Sequence, residues 1–289
     1  MCEKSEVEAW ARTALTRRQI GVLGAAGAVS ACTPMASNGA STASTSAIAE
    51  RSVSFATPDG TLDGEFFHRP GGKAPGVIFW PDIAGIRPAK RQMARRLAEA
   101  GYAVLLANPY YRDVRGQQFE DFAGFAGGGG WQKVGPWRGR FNADTILTDA
   151  RAAAGWLRQQ KEVDTSRGIG AQGYCMTGSF ALIAPAATAE LNGGASFHGG
   201  GLVTDNAKSP HKLLQAGNRY LIAIARNDDA KAPGEKDQLR EAAAAANTQA
   251  EIEVYPANHG WCVPDSPSYN AAEADRAWGR LLALYQSAL

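Results

Sequence analysis

The chain has 289 residues, 45% of them hydrophobic and 20% charged, enough to bury a full core as one large or two small globular domains. Its formal net charge of +2 provides no basic stripe, so nucleic acid is not an implied partner.

The first segment, residues 1–31, is expected to stand outside the fold. Arg17 and Arg18 form a twin-arginine pair, and the apolar run from Ile20 to Val29 is too short to span a bilayer but fits the core of a signal peptide. Val29-Ser30-Ala31-Cys32 resembles a bacterial lipobox, in which the thiol after the cleavage point is lipidated; a plain small-residue cleavage site is the alternative. Export by the twin-arginine route, with the mature chain periplasmic or membrane-anchored through Cys32, is the expectation. Residues 32–50, rich in Ser, Thr and Ala, have the composition of a flexible tether.

From residue 51 to 289 the pattern is that of a folded domain. Alternation on both sides of Pro58-Asp59-Gly60 predicts a hairpin, and Gly76 to Trp80 and Tyr102 to Ala107 read as buried strands flanking a helix over residues 88–100. Residues 113–139 have no regular period but carry Phe119, Phe122, Phe125, Trp131 and Trp137 among glycines, which predicts a pocket wall or lid. Helices are expected over 141–159, 177–190, 234–246 and 268–286, and strands over 168–174, 195–198, 220–225 and 251–255. This alternation implies an α/β fold with a mostly parallel, doubly wound sheet and helices on both faces. Its site belongs at the carboxyl ends of the strands.

Gly173-Tyr174-Cys175-Met176-Thr177-Gly178 breaks such a strand at a cysteine. A nucleophile on a strand-to-helix turn needs small neighbours, because the strained backbone packs closely and pushes the side chain outward. Gly173 satisfies this; the fifth position is Thr177, with Gly178 one place late. A small buried thiol is the alternative. An activated thiol also needs a base and a carboxylate to orient that base. His259 follows the last predicted strand, whereas His68 and His211 stand at the wrong points in the chain; His198, at a strand end, is placed to line the pocket. Asp228 and Asp229 both follow the strand ending at Ala225, and Asp228 has the spacing expected of the acid. Of the four cysteines, Cys2 and Cys32 belong to the signal and its border, leaving Cys175 and Cys262; a free Cys175 thiol is expected.

The cysteine turn, with Asn227-Asp228-Asp229 and His259-Gly260-Trp261 at these separations, resembles the dienelactone hydrolase family of α/β-hydrolases over residues 51–289. The resemblance implies hydrolysis of ester or lactone bonds by a triad of Cys175, Asp228 and His259 through a thioacyl intermediate. It implies an oxyanion hole from the backbone N–H groups of Met176 and Ile83. Family members place a glutamate against the resting thiol where this chain has Asp82. Arg112 falls where a carboxylate-binding arginine is expected, but Cys262 and Val263 stand where a second would be. Asp82, Arg112, Tyr110, His198 and Trp261 are thus the candidate substrate-binding residues, and a more apolar ester or lactone is the expected substrate. The chemistry calls for no metal or cofactor. Two other readings are a lipid-tethered binding protein that keeps the fold without catalysis, and a thiol redox protein using Cys175 and Cys262.

Overall fold

The computed structural model describes residues 8, 10–12 and 47–289. The twin-arginine pair, the apolar run, Cys32 and nearly all of the tether lie outside the described residues. Eight strands form one sheet in the order β1-β2-β4-β3-β5-β6-β7-β8. The hairpin of β1 (Ala49–Thr57) and β2 (Gly60–His68) turns at Gly60, whose φ of 140° is open to glycine, and β2 then joins β4 (Ala103–Ala107) antiparallel. From β4 onward the neighbours are parallel: β3 (Gly76–Trp80), β5 (Ile169–Tyr174), β6 (Leu191–Phe197), β7 (Arg219–Ala225) and β8 (Gln249–Tyr255).

Strands β3, β4 and β5 are buried throughout, because helices cover both faces. Helices α1 (Pro88–Glu99) and α8 (Ala271–Ala288) bury Leu97, Leu281 and Leu284 against Val77, Phe79 and Leu221. On the other face α4 (Ala143–Arg158) packs Ile146 and Leu157 against Ile78 and Leu105, α5 (Gly178–Ile183) adds Phe180, and α7 (Glu235–Ala245) packs Leu239 against Ile222 and Ile224. Local chemistry sets the starts: Pro88 opens α1, Asn142 and Thr145 form a capping box on α4, and the Asn270 side chain accepts from Glu273 N–H on α8.

Three expectations are corrected. The helix expected over 177–190 ends at Ile183 and gives way to a tight turn containing Pro185, which has no N–H to continue the ladder. Strand β6 starts at Leu191 rather than Ala195 and takes in Gly193 and Gly194; a Cβ on Gly194 would collide with Ala181 O, so the bare backbone is what lets α5 approach. The segment 113–139 contains two short helices, α2 (Phe122–Gly127) and α3 (Gly130–Arg138), with Asp121 capping the first by accepting from Gly124 N–H at 2.7 Å. A further helix, α6 (Arg226–Lys231), follows β7. Trp10 and Ala11, from the segment expected to stand apart, pack on the aromatic cluster of α2 and α3, with the Trp10 ring 6.4 Å from Phe122. An apolar pair finds apolar cover there.

Candidate active site

Five parallel strands deliver the site at their carboxyl ends. Beyond β3 runs the loop 81–86; beyond β5 comes Cys175, beyond β6 His198, beyond β7 Asp228, beyond β8 His259. All but Asp228 border a cavity of about 500 Å³.

Cys175 has φ of 56°, a left-handed conformation costly for a residue with a side chain. The turn is tight enough that a Cβ on Gly173 would lie 1.9 Å from Thr177 O. Thr177, the departure from a glycine pattern, ties the turn down. Its fully buried hydroxyl accepts from Tyr174 N–H at 3.0 Å and lies 3.0 Å from the carbonyls of both Trp80 and Pro81. The cysteine turn is thus fastened to the loop that carries Ile83.

His259 Nδ1 meets Asp228 Oδ2 at 2.6 Å, leaving Nε2 for the thiol of Cys175, with which His259 is hydrogen-bonded. Between the two adjacent carboxylates the geometry is unambiguous, since Asp229 is paired instead with Lys236 Nζ at 2.7 Å. The His259 backbone is itself anchored, its N–H donating to Asn227 Oδ1 at 2.8 Å. Burial disfavours charge on each of these groups, but the mutual attractions are larger. Burial alone would raise the Cys175 thiol, yet the adjacent His259 brings it below the ordinary value. Burial would lower His259, yet the Cys175 thiolate and the Asp228 carboxylate raise it to about 10, and His259 holds Asp228 at about 2. An imidazolium–thiolate pair is the resting state these interactions favour.

Ile83 is buried at the cavity wall, and its N–H has no acceptor among the described residues. Met176 N–H points at the Cys175 sulfur. These are the two backbone donors expected of an oxyanion hole.

The remaining predicted site residues divide. Asp82 and His198 line the cavity. Asp82 does not play the part of the family's glutamate: Arg87 grips its carboxylate at 2.7 and 2.9 Å, Lys90 Nζ at 2.8 Å and Ala84 N–H at 3.0 Å. Burial would raise its pKa, but Arg87 and Lys90 hold it well below the usual carboxylate range. Arg87 also binds Asp265 at 2.7 Å, and Asp265 accepts from Phe122 N–H at 2.9 Å, which ties α2 to the same ion cluster. Tyr110 and Trp261 are corrected from lining to support. Tyr110 donates to Ile83 O at 2.7 Å from behind the loop, and Trp261 is fully buried, stacked on Tyr255 at 5.0 Å and edge-on to His198. Arg112 is corrected too: it lies away from the cavity, its guanidinium held by Asp149 at 2.7 Å and Asp59 at 2.7 Å.

The aromatic weight of 113–139 predicted a pocket wall, and Phe122 and Trp131 line the cavity; sequence reasoning missed Arg138, Val263 and Ser266. It also missed the buried pair Arg87 and Lys90; a lysine on the inward face of α1 was the available signal. Cys175 and Cys262 are both free thiols, and burial raises Cys262 to about 12, an inert group. Among the described residues no group of His, Cys, Asp and Glu is placed to hold a metal ion.

A side chain on a strained turn after the fifth strand, facing a histidine from the last strand loop across a parallel sheet, defines an α/β-hydrolase. The chain belongs to the dienelactone hydrolase family, whose model matches residues 62–289. It is 27% identical over 216 residues to an Escherichia coli protein provisionally named a carboxymethylenebutenolidase, covering 73% of this chain and 76% of that one. A Synechocystis protein with the same provisional name is 26% identical over 228 residues, covering 75% and 88%. Among solved structures, a dienelactone hydrolase-like promiscuous phosphotriesterase from metagenomic libraries superposes with a TM-score of 0.63 at 25% identity, covering 84% of this chain and 99% of that one. The dienelactone hydrolase of Anabaena variabilis, at 18% identity and a TM-score of 0.58 over 84% and 99% of the two chains, shares the fold.

Proposed function

We propose that the protein hydrolyses carboxylic ester or lactone bonds through a Cys175–His259–Asp228 triad. The observation that carries this reading is the unbroken line from Asp228 through His259 to the thiol, on a turn whose left-handed cysteine faces the cavity. The Cys175 thiolate attacks the carbonyl carbon, forming the C–S bond while the carbonyl π electrons move to oxygen. The oxyanion is received by the N–H groups of Met176 and Ile83. Collapse expels the alkoxide, which takes the proton from His259 Nε2 and leaves a thioester. Water, deprotonated by His259 Nε2, then attacks that thioester, and release of the carboxylic acid restores the thiolate–imidazolium pair. Asp228 holds the ring with Nδ1–H toward itself throughout.

The cavity wall formed by Ile83, Phe122, Trp131 and Val263 supports an apolar acyl group in place of a small anionic one, and Arg138 is the guanidinium in the same wall. Cys175→Ala is expected to abolish turnover of p-nitrophenyl acetate and iodoacetamide labelling at neutral pH while the far-ultraviolet circular dichroism stays the same. Retained turnover rules the triad out. Absence of labelling in the native protein favours the non-catalytic binding reading, and loss of activity in Cys262→Ser favours the redox one; the depth and inertness of Cys262 weigh against the latter.

We further propose export by the twin-arginine route and anchoring through lipid on Cys32. Replacing Arg17 and Arg18 together by lysine is expected to leave the protein in the cytoplasm, and Cys32→Ser to move it from the membrane to the soluble periplasmic fraction. Unchanged fractionation in both variants refutes this address.

A further inference from the structure

His198 has no part in the proton transfers above, yet it is one of only three described non-glycine residues with positive φ, at 40°, and is almost completely buried. Its Nδ1 lies 3.1 Å from the backbone nitrogen of Cys175 and accepts that N–H. A nitrogen that accepts carries no proton, so the neutral ring must carry its proton on Nε2. An imidazolium would leave the Cys175 N–H facing another donor. The ring is held in place: His259 lies edge-on at 4.6 Å between centroids, Trp261 edge-on at 5.3 Å, and Tyr174 is tilted at 6.1 Å. Its own N–H donates to Ala223 O at 2.8 Å, in register with β7. Two residues further, Gly200 N–H donates to Cys175 O at 3.2 Å. Both backbone polar groups of the nucleophile are therefore held by the turn after β6, which is itself held to β7.

We infer that His198 is the positioning residue of the nucleophile, a permanently neutral histidine whose Nδ1 fixes the amide of Cys175 and with it the left-handed turn that aims the sulfur at His259. The inference rests on the triad reading. The charged and titratable groups facing the ring are His259, Lys90, Asp82 and Asp228. Burial first, and then the positive His259, push His198 well below the ordinary histidine value, so the site holds one imidazolium and not two. A bare apolar residue would keep the space filled but leave the Cys175 N–H buried with no acceptor. Loss of aim by even a fraction of an ångström is what a bond-forming geometry tolerates least.

Two substitutions separate acceptor from filler. In His198→Asn the Oδ1 stands where Nδ1 stood, and asparagine accepts the left-handed backbone readily; in His198→Leu the acceptor is gone. Turnover of p-nitrophenyl acetate and the pH dependence of Cys175 alkylation by iodoacetamide are followed for wild type and both variants, with melting curves alongside. The Leu variant is expected to lose about 100-fold in kcat with little change in KM, and its alkylation curve to move toward the higher pH of an ordinary thiol. The Asn variant is expected to recover at least about tenfold of that loss and to restore the curve toward its original pH. A Leu variant with an unmoved alkylation curve, or an Asn variant no better than Leu, overturns the proposal, as does a lowered melting temperature with neither kinetic change. Should the Leu variant not fold, the Asn variant still decides: a loss as large as about 100-fold there counts against the acceptor. Wild-type protein that neither turns over ester nor alkylates at Cys175 refutes the triad itself, a result distinct from all of these.

Discussion

On the sheet side Cys175, His198, Asp228 and His259 each follow directly on, or within four residues of, a parallel strand, whereas on the opposite side of the cavity Phe122, Trp131 and Arg138 belong to two short helices in a glycine-rich insertion. The first group inherits its geometry from strand register, because neighbouring parallel strands fix where each chain end emerges. The second has no such frame. It is fixed by aromatic contacts, such as Phe125 with Trp131 at 4.7 Å between ring centroids, and by the bond from Phe122 N–H to Asp265. On the proposed mechanism the difference separates tasks: chemistry demands sub-ångström placement and would sit on the sheet, while substrate choice tolerates variation and would sit on the insertion. One structure joins the two sides, the buried cluster in which Arg87 bridges Asp82 on the loop after β3 and Asp265, which accepts from Phe122 N–H of α2.

The largest effect is expected on the sheet side, from the acid. Asp228→Asn leaves a neutral amide against Nδ1, so the His259 ring loses both its charge partner and the bias toward the tautomer that presents Nε2 to the sulfur. We expect kcat to fall by roughly 10³- to 10⁴-fold. The sign of the accompanying pH effect follows from the same contact. Asp228 helps raise His259 to about 10, and His259 lowers the thiol; with the carboxylate gone, His259 falls, the thiol rises, and alkylation of Cys175 moves to higher pH. Asp229→Asn, which breaks only the contact with Lys236, should leave kcat within about twofold. Equal losses in the two variants would mean that the sheet does not discriminate between the adjacent carboxylates as the geometry implies.

The same division governs what was legible in the sequence. Continuous apolar runs placed β3, β4, β5 and β7 within a residue or two, and chain order then placed Cys175, Asp228 and His259, because in a parallel sheet functional groups emerge at predictable points. Asp228 was harder to separate from Asp229, since nothing local says which way the first turn of α6 rotates its side chains. Arg112 failed for a tertiary reason: Asp59 from the hairpin and Asp149 from α4 claim its guanidinium, and neither is near it in sequence. Asp82 stands where the family has a glutamate, but its capture by Arg87 and Lys90 required knowing that α1 turns those two side chains inward. Thr177 looked like a flaw in the motif; only the fold shows its hydroxyl joining the cysteine turn to the ends of Trp80 and Pro81. The insertion was legible in composition and not in form, because aromatic and glycine content without a period fixes no helix, and Asp121 as a cap carries meaning only once α2 exists.

A smaller effect of a different kind is expected on the insertion side, and it tests the division most directly. Trp131 lines the cavity with its ring against Phe125, and its indole N–H makes no hydrogen bond among the described residues. Its contacts with an apolar acyl group are made equally in the bound substrate and in the transition state, which is uniform binding and registers in KM alone. An aromatic contact of this sort is worth about 1 kcal/mol, so Trp131→Ala should raise KM for an aryl-acyl ester by about fivefold with kcat nearly the same. For an acetyl ester, too short to reach the aromatic wall, KM should scarcely change. A large fall in kcat for both esters would show that α3 helps hold the oxyanion loop, through Tyr110, whose ring meets Trp137 at 5.2 Å and whose hydroxyl bonds Ile83 O, and the two sides of the cavity would then have to be treated as one mechanical unit.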